Sequence, residues 1–290
     1  MQNLLAPGHR ACAGCSMPTI VRLILDAAGP NSIVVSPTSC LEVTTTPFPE
    51  SAWCVPWLHS LFENAAAVAS GVEIALKRFH KEANVLVIGG DGSTFDIGMG
   101  SNSGMFERGH KVTYICYDNE AYMNTGVQRS GSTPFCAHTT TTPSGEISLG
   151  NPRPKKDMPA IALAHRVPYV ATASVAYPVD LRHKVKKAIE TQGPSYIQVN
   201  APCITGWTFE AGNTVEIARL AVETGLWPLF EYVNGQLTEV KKVRRPKPVE
   251  DYLKSQGRYR HLFKKPGGTE VLKQIQAIAD GNISKYCLVD

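Results

Sequence analysis

The sequence contains no apolar run approaching the roughly 20 residues that a bilayer crossing needs, and its first residues lack the charged start and long apolar stretch of an export signal. The expectation is a soluble, cytoplasmic chain with no membrane partner. Charged residues make up only 19%, and 29 basic against 25 acidic ones leave a net charge of +4, too slight and too dispersed for a nucleic-acid surface. No internal repeat is visible. A nicotinamide fingerprint is also missing: Gly90-Asp91-Gly92 is followed by Phe95 and Gly98-Met99-Gly100 by Ser103, where the motif needs a third glycine. So is the C-x-x-C-x-x-C-x-x-x-C-P run that carries ferredoxin-type clusters. What remains is an ordinary globular composition, 43% hydrophobic over 290 residues, enough to bury a core without disulfides.

Eight cysteines stand against that background. Without an export signal, thiols hold metal or fill core space. Cys12 and Cys15 form a C-x-x-C around Gly14, so two sulfurs reach one ion from a tight turn, while Cys40 and Cys203 stand singly. Cys116 reads as core from inside a strand, and Cys54, Cys136 and Cys287 read as core filler.

Short β-branched runs alternate with helical patterns, the signature of an α/β fold whose mostly parallel sheet carries helices on both faces. Strands are expected at residues 32–36, 84–88, 112–117, 169–172 and 195–200, and helices at 16–29, 61–80, 97–108 and 179–191. Residues 124–155 form a long loop. Beyond about residue 205 come a helix at 215–223, a hairpin turning at Asn234-Gly235, a basic proline-containing stretch at 241–248 and two short terminal helices. Residues 1–205 are therefore expected to form the sheet domain, and 206–290 an extension that packs on it and wraps an arm around a partner subunit.

In an open parallel sheet, ligands bind beyond the carboxyl ends of the strands. Strand 84–88 runs into Gly89-Gly90-Asp91-Gly92-Ser93 and strand 112–117 into Asp118-Asn119-Glu120; Cys40 follows strand 32–36 and Cys203 follows strand 195–200. Four polar or metal-binding features thus fall on one rim. Glycines let backbone N–H groups approach a phosphate, and Asp91 with Asn119 offers the oxygen ligands Mg2+ prefers when phosphates complete its octahedron. The plain alternative is an Asp-Gly turn and an Asn cap. Cys12, Cys15, Cys40 and Cys203 fit a four-thiolate zinc site, a [4Fe-4S] cluster or coincidence. Glu63, at the start of the alanine-rich helix, either bonds a cofactor or partner or is favoured there by the helix dipole. Trp57 and His59 shape an entry loop or interface, and His9 and Arg10 flank the first cysteines.

Residues 8–15, the Ser36-Pro37-Thr38-Ser39-Cys40 stretch, Gly90-Asp91-Gly92, residues 117–126, and Gly193-Pro194 through Pro202-Cys203 together resemble the β subunit of the pyruvate:ferredoxin oxidoreductase (pyruvate synthase) family. The resemblance extends over nearly the whole chain. It implies the diphosphate-binding half of a thiamine diphosphate-binding fold. It assigns Cys12, Cys15, Cys40 and Cys203 to one [4Fe-4S] cluster, and Asp91, Asn119 and the carbonyl of Ala121 to Mg2+. It places Gly90, Gly92, Ser93, Thr125 and Glu63 beside the cofactor, and Asn124 on the substrate side.

The implied reaction is reversible oxidative decarboxylation of a 2-oxoacid, pyruvate foremost, with coenzyme A as cosubstrate and ferredoxin as electron carrier. The chain carries one sheet domain and no ferredoxin-type cluster run. An α subunit bearing the pyrimidine-binding domain and its activating Glu, a ferredoxin-like subunit or domain, and external ferredoxin are therefore the expected partners. Removing the chain beyond about Lys241 is expected to impair assembly more than cluster binding. The competing readings are relatives acting on oxalate, branched-chain 2-oxoacids or aryl glyoxylates, a non-redox thiamine decarboxylase half, and a zinc or iron–sulfur electron-transfer or structural subunit.

Overall fold

The computed structural model describes residues 3–289. An eight-stranded sheet contains β1 (Ser32–Pro37), β2 (Trp57–Ser60), β3 (Asn84–Gly90), β4 (Thr113–Asp118), β5 (Tyr169–Ser174), β6 (Ser195–Asn200), β7 (Phe230–Val233) and β8 (Gln236–Val240). They lie in the order β2-β1-β3-β4-β6-β5-β7-β8. The first six are parallel, and the hairpin β7–β8, turning at Asn234-Gly235, adds two antiparallel strands beside β5. All five expected strands are present. The sixth parallel strand, β2, occupies residues expected in an entry loop: Val34 pairs with Trp57 and Pro37 with Ser60 at the sheet edge. A four-residue edge strand with two exposed positions carries too little alternation to be read from sequence.

Helices α1 (Ser16–Ala28), α2 (Cys40–Thr45), α3 (Ala65–Arg78), α4 (Met99–Glu107), α5 (Met158–Ala164) and α6 (Pro178–Glu190) alternate with these strands. The period of two along a strand sends alternate side chains to opposite faces. On one face Leu86, Ile88, Ile115 and Ile197 meet Ile20 and Ile24 of α1 and Leu181 and Val185 of α6. On the other, Val85, Val87, Tyr114 and Tyr196 meet Ala65, Ala66 and Ala69 of α3, Met105 and Phe106 of α4, and Met158 of α5. Burial on both faces is why these strands read as continuous β-branched runs. The alanine-rich helix starts at Ala65 rather than at 61, because β2 and a turn claim the residues before it.

Helices α7 (Ile204–Trp207), α8 (Thr214–Glu223), α9 (Val249–Lys254) and α10 (Gly268–Lys285) build a further layer whose core holds Trp207, Ile217, Leu253, Tyr259, Val271 and Ile275. Cys136 and Ala137 of the long loop join that core. Helix α10 has 18 residues and is not one of two short terminal helices; Val271, Ile275 and Ala279 give it a narrow buried stripe at four-residue spacing. The basic segment 241–248 packs on its own chain. Val243 is buried and donates its N–H to Leu288 O at 2.7 Å, Lys247 pairs with Glu223 at 2.9 Å, and Lys241 lies over the Tyr177 ring, while Arg244 and Arg245 face outward.

Cys116 and Cys136 are buried as expected. Cys54 and Cys287 are exposed, which corrects their reading as core filler: each lies in irregular chain, and one thiol has too little apolar surface to pull such a segment inward. Among the described residues no helix is long and apolar enough to cross a membrane.

Candidate functional site

The strands β1, β3, β4 and β6 are adjacent in the sheet, and their carboxyl ends deliver the candidate residues to one rim. Strand order reverses between β1 and β3, since β1 leads outward to β2 whereas β3 leads to β4 on the other side. A crevice opens at such a reversal. Here it is a cavity of about 330 Å3 walled by Thr38, Ser39 and Cys40 after β1, Leu61 to Glu63 after β2, Gly90 to Ser93 after β3, and Asn119 with residues 121–125 after β4.

Its floor is built from a sharp change of conformation. Residue Gly90 ends β3, and Gly92–Ile97 turns at once into a π-helical segment that leads into α4, so the rim here is helical rather than an open loop. Ser93 and Thr94 hydroxyls donate to Gly90 O at 2.9 and 2.6 Å, fastening the turn. A Cβ at Gly92 would stand 2.4 Å from the Tyr122 ring, so only glycine lets that ring close over the cavity. The Tyr122 hydroxyl donates to Asp96 at 2.9 Å, holding the ring there.

Asp91 is buried, and its Oδ2 accepts from the Ser130 hydroxyl at 2.5 Å. Its Oδ1 lies 2.9 Å from the Asn119 side-chain amide, which also stands 2.9 Å from Ala121 O. With the amide nitrogen turned inward, Asn119 donates to both; with its oxygen turned inward, three oxygens converge. Burial, with the Asp118 charge next, pushes the Asp91 carboxyl well above the usual carboxylate range.

Behind Asp91 lies a buried charge network. Asp118 accepts from Lys155 at 2.8 Å, Ser132 at 2.6 Å and Gln198 at 2.7 Å. Glu120 pairs with Lys155 at 2.8 Å and with Arg258 at 2.7 Å. Burial alone would raise Glu120, but Lys155 and Arg258 hold it below the usual range. Three carboxyl groups, at Asp91, Asp118 and Glu120, thus share two cations, and Asp91, which pairs with neither, is the one whose ionisation burial opposes most.

The four candidate cysteines gather on the same rim. Cys15 is the residue before α1 and donates its N–H to Cys12 O at 3.0 Å, Cys40 opens α2, and Cys203 caps α7, its sulfur accepting from Gly206 N–H at 3.4 Å. Burial pushes the Cys40 thiol up to about 12 and that of Cys15 to about 11, and each feels the charge of Cys203 and Cys12. Cys15 also packs against the sheet core, so its segment is less bare than a free loop. Cys12 is exposed, opening one side of the group to solvent. Among the described residues no three His, Cys, Asp or Glu side chains form a group that holds a metal ion.

Glu63, Gly90, Asp91, Gly92, Ser93, Asn119, Ala121, Asn124 and Thr125 all line the cavity, Asn124 and Thr125 at its exposed lip. Glu63 lies in the turn before α3 rather than in its first turn. Trp57 and His59 sit on β2, and His9 lies 3.4 Å from Arg22. Sequence reasoning missed Ser130, Ser132 and Lys155, which come from the long loop, and Arg258, which comes from the short 3-10 helix Gly257–Phe263. The one available signal was chemical: Asp118 and Glu120, once buried at a strand end, require cations from elsewhere.

Comparison with known proteins accords with this geometry. Residues 38–199 match the family model of the thiamine pyrophosphate enzyme, C-terminal TPP binding domain. The chain is 61% identical over 287 residues to pyruvate synthase subunit PorB of Methanosarcina barkeri, covering 98% of this chain and 97% of that one. It is 48% identical over 271 residues to ketoisovalerate oxidoreductase subunit VorB of Pyrococcus abyssi, covering 91% of this chain and 87% of that one. Among solved structures, a 2-oxoglutarate:ferredoxin oxidoreductase from Magnetococcus marinus shares the fold at a TM-score of 0.59 and 24% identity, over 73% of this chain and 77% of that one. The chain therefore belongs to the thiamine pyrophosphate enzymes through its TPP-binding domain and, within them, to the PorB-type subunits of the 2-oxoacid:ferredoxin oxidoreductases.

Proposed function

We propose that this chain is the subunit of a pyruvate:ferredoxin oxidoreductase that holds the diphosphate end of thiamine diphosphate through Mg2+ and carries one [4Fe-4S] cluster. The observation that carries the cofactor reading is the Asn119 side-chain amide standing 2.9 Å from both Asp91 Oδ1 and Ala121 O. Oxygen ligands about 2.0–2.1 Å from Mg2+ at right angles stand about 3 Å apart, so an inward Asn119 oxygen has the separation of adjacent ligands from each of the other two. A cation bound beside Asp91 would offset the burial that opposes its ionisation, and Gly90, Gly92 and Ser93 border the space a diphosphate would fill.

The cysteine set fits a wide cluster better than a lone ion. Four thiolates around zinc stand about 3.8 Å from one another, given Zn–S bonds of about 2.3 Å. No such tight group exists among the described residues, yet Cys15 and Cys40 feel the charge of Cys203 and Cys12, and Cys203 that of Cys12. An iron–sulfur cube, wider than a single ion, is the group that Cys12, Cys15, Cys40 and Cys203 would hold in this reading.

When bound, thiamine diphosphate supplies the electron sink that lets a 2-oxoacid lose CO2, and the cluster accepts electrons singly for a ferredoxin. The chain's own residues position and enclose. Asp91, Asn119 and Ala121 fix the metal, Tyr122 and Met123 wall off water, and Asn124 at the lip faces the substrate side. Glu63, Leu61 and Phe62 present the edge on which an α subunit with the pyrimidine-binding domain would close, with coenzyme A as the expected cosubstrate. Pyruvate is favoured by the 61% identity to a pyruvate synthase subunit. The 48% identity to a ketoisovalerate enzyme makes branched-chain 2-oxoacids the second reading. The test is a purified complex assayed with a panel of 2-oxoacids alongside its Cys203→Ser variant. Pyruvate should give the highest kcat/KM, and the variant should lose about four irons per chain or retain a degraded cluster. Preference for a branched-chain acid, or unchanged iron and reduced-state EPR, would overturn the respective half.

A further inference from the structure

One buried side chain joins the cofactor cavity to the cysteine group. Trp207 is fully buried at the end of α7, whose cap is Cys203. Its indole Nε1–H donates to Asn119 O at 2.8 Å, and its backbone N–H donates to Cys203 O at 2.9 Å. The Arg258 guanidinium stacks on the ring 3.8 Å from its centre while bonding Glu120 at 2.7 Å. One turn of helix is therefore fastened at one end to a cysteine and at the other to the residue whose amide faces Asp91. A second contact reinforces it: a Cβ on Gly206 would stand 2.1 Å from the sulfur of Met123, a cavity wall residue.

We infer that Trp207 is a positioning residue that holds Asn119 for the metal and couples the cofactor cavity to the cluster through α7. This rests on the cofactor and cluster reading given above and adds the element linking the two. The indole is the donor to the Asn119 carbonyl, so its loss leaves a buried C=O unpaired and frees the segment from 119 to 123 to shift. Because α7 is only four residues long and packed on both sides, displacement at Asn119 is transmitted to Cys203 rather than absorbed.

The experiment uses Trp207→Phe in the assembled enzyme, which keeps an aromatic ring under Arg258 and removes the N–H. Three quantities are read on each preparation: iron content, the dissociation constant for Mg2+–thiamine diphosphate, and the change in the reduced cluster's EPR spectrum when cofactor is added. In the wild type, cofactor binding should alter that spectrum. In Trp207→Phe, iron should stay at the wild-type level, cofactor should bind roughly tenfold more weakly, and the spectral response at saturating cofactor should shrink. Gly206→Ala, which presses on Met123, should weaken cofactor binding in the same direction. Wild-type affinity and an undiminished response in Trp207→Phe would overturn the inference, as would loss of iron and cofactor together, the mark of a merely structural residue. A wild-type enzyme lacking either group would instead sink the reading beneath it.

Discussion

At Asp91, binding and stability pull in opposite directions. Its carboxyl is buried beside Asp118 and pushed well above the usual range, so without a cation the folded state holds the proton more tightly than the unfolded chain does. For an acid shifted this way, stability falls as pH rises from the unfolded value of about 3.9 through the raised folded one. Asp91→Asn removes that fall. In EDTA near pH 7 the variant should therefore be more stable than the wild type by the order of 1 kcal/mol, measured by thermal or urea unfolding. A less stable variant would show that the Ser130 hydrogen bond outweighs the burial of charge. Asp91 and Asn119 were legible in the sequence because glycines and oxygen ligands directly follow strands. Lys155, Arg258 and Ser130 were not, because their roles depend on which remote segments the fold brings to Asp118 and Glu120.

Elements were legible where burial is two-sided and long. Strands β3, β4 and β6 announce themselves as apolar runs, whereas β2 is short and on an edge, and α10 has only a narrow buried stripe. The π-helical segment after β3 has no periodic sequence signature, since the contacts around it, Tyr122 on Gly92 and the Ser93 and Thr94 hydroxyls on Gly90 O, come from tertiary packing and single side chains. Helix α3 is tied to the approach to β4 by Glu73, a buried carboxylate that pairs with Lys77 at 2.5 Å and His110 at 3.2 Å. Burial opposes ionisation of Glu73, but these two partners hold it below the usual range. A carboxyl lowered on folding stabilises above its unfolded value of about 4.3, and that contribution is lost as pH falls through the folded one. Glu73→Gln should thus cost about 1–2 kcal/mol at pH 7, with the difference from wild type closing below about pH 4. An equal penalty at both pH values would mean that packing, not charge, is responsible.

At the scale of the whole molecule, the described residues form one sheet, and Leu61 at the cavity and Phe48, Ile97 and Ile147 elsewhere are exposed apolar side chains. The isolated chain, supplied with iron, sulfide, Mg2+ and thiamine diphosphate, should show no pyruvate-dependent reduction of a viologen dye; turnover comparable with the complex would contradict the need for a partner. Removal of the chain beyond Lys241, expected from sequence to impair assembly more than cluster binding, should instead damage both sites. It takes away Arg258, which pairs with Glu120 and stacks on Trp207, along with α9, α10 and their share of the core. A truncated chain that assembled poorly yet kept full iron would restore the simpler expectation.

The proposed cofactor and cluster sites are neighbours on one rim held by different residues, which Asp91→Ala in the assembled enzyme tells apart. Iron and thiamine diphosphate are quantified on the same dialysed sample. The account predicts iron at the wild-type level of about four per chain and essentially no bound thiamine diphosphate. Stoichiometric cofactor in that sample, or joint loss of cofactor and iron, would contradict it.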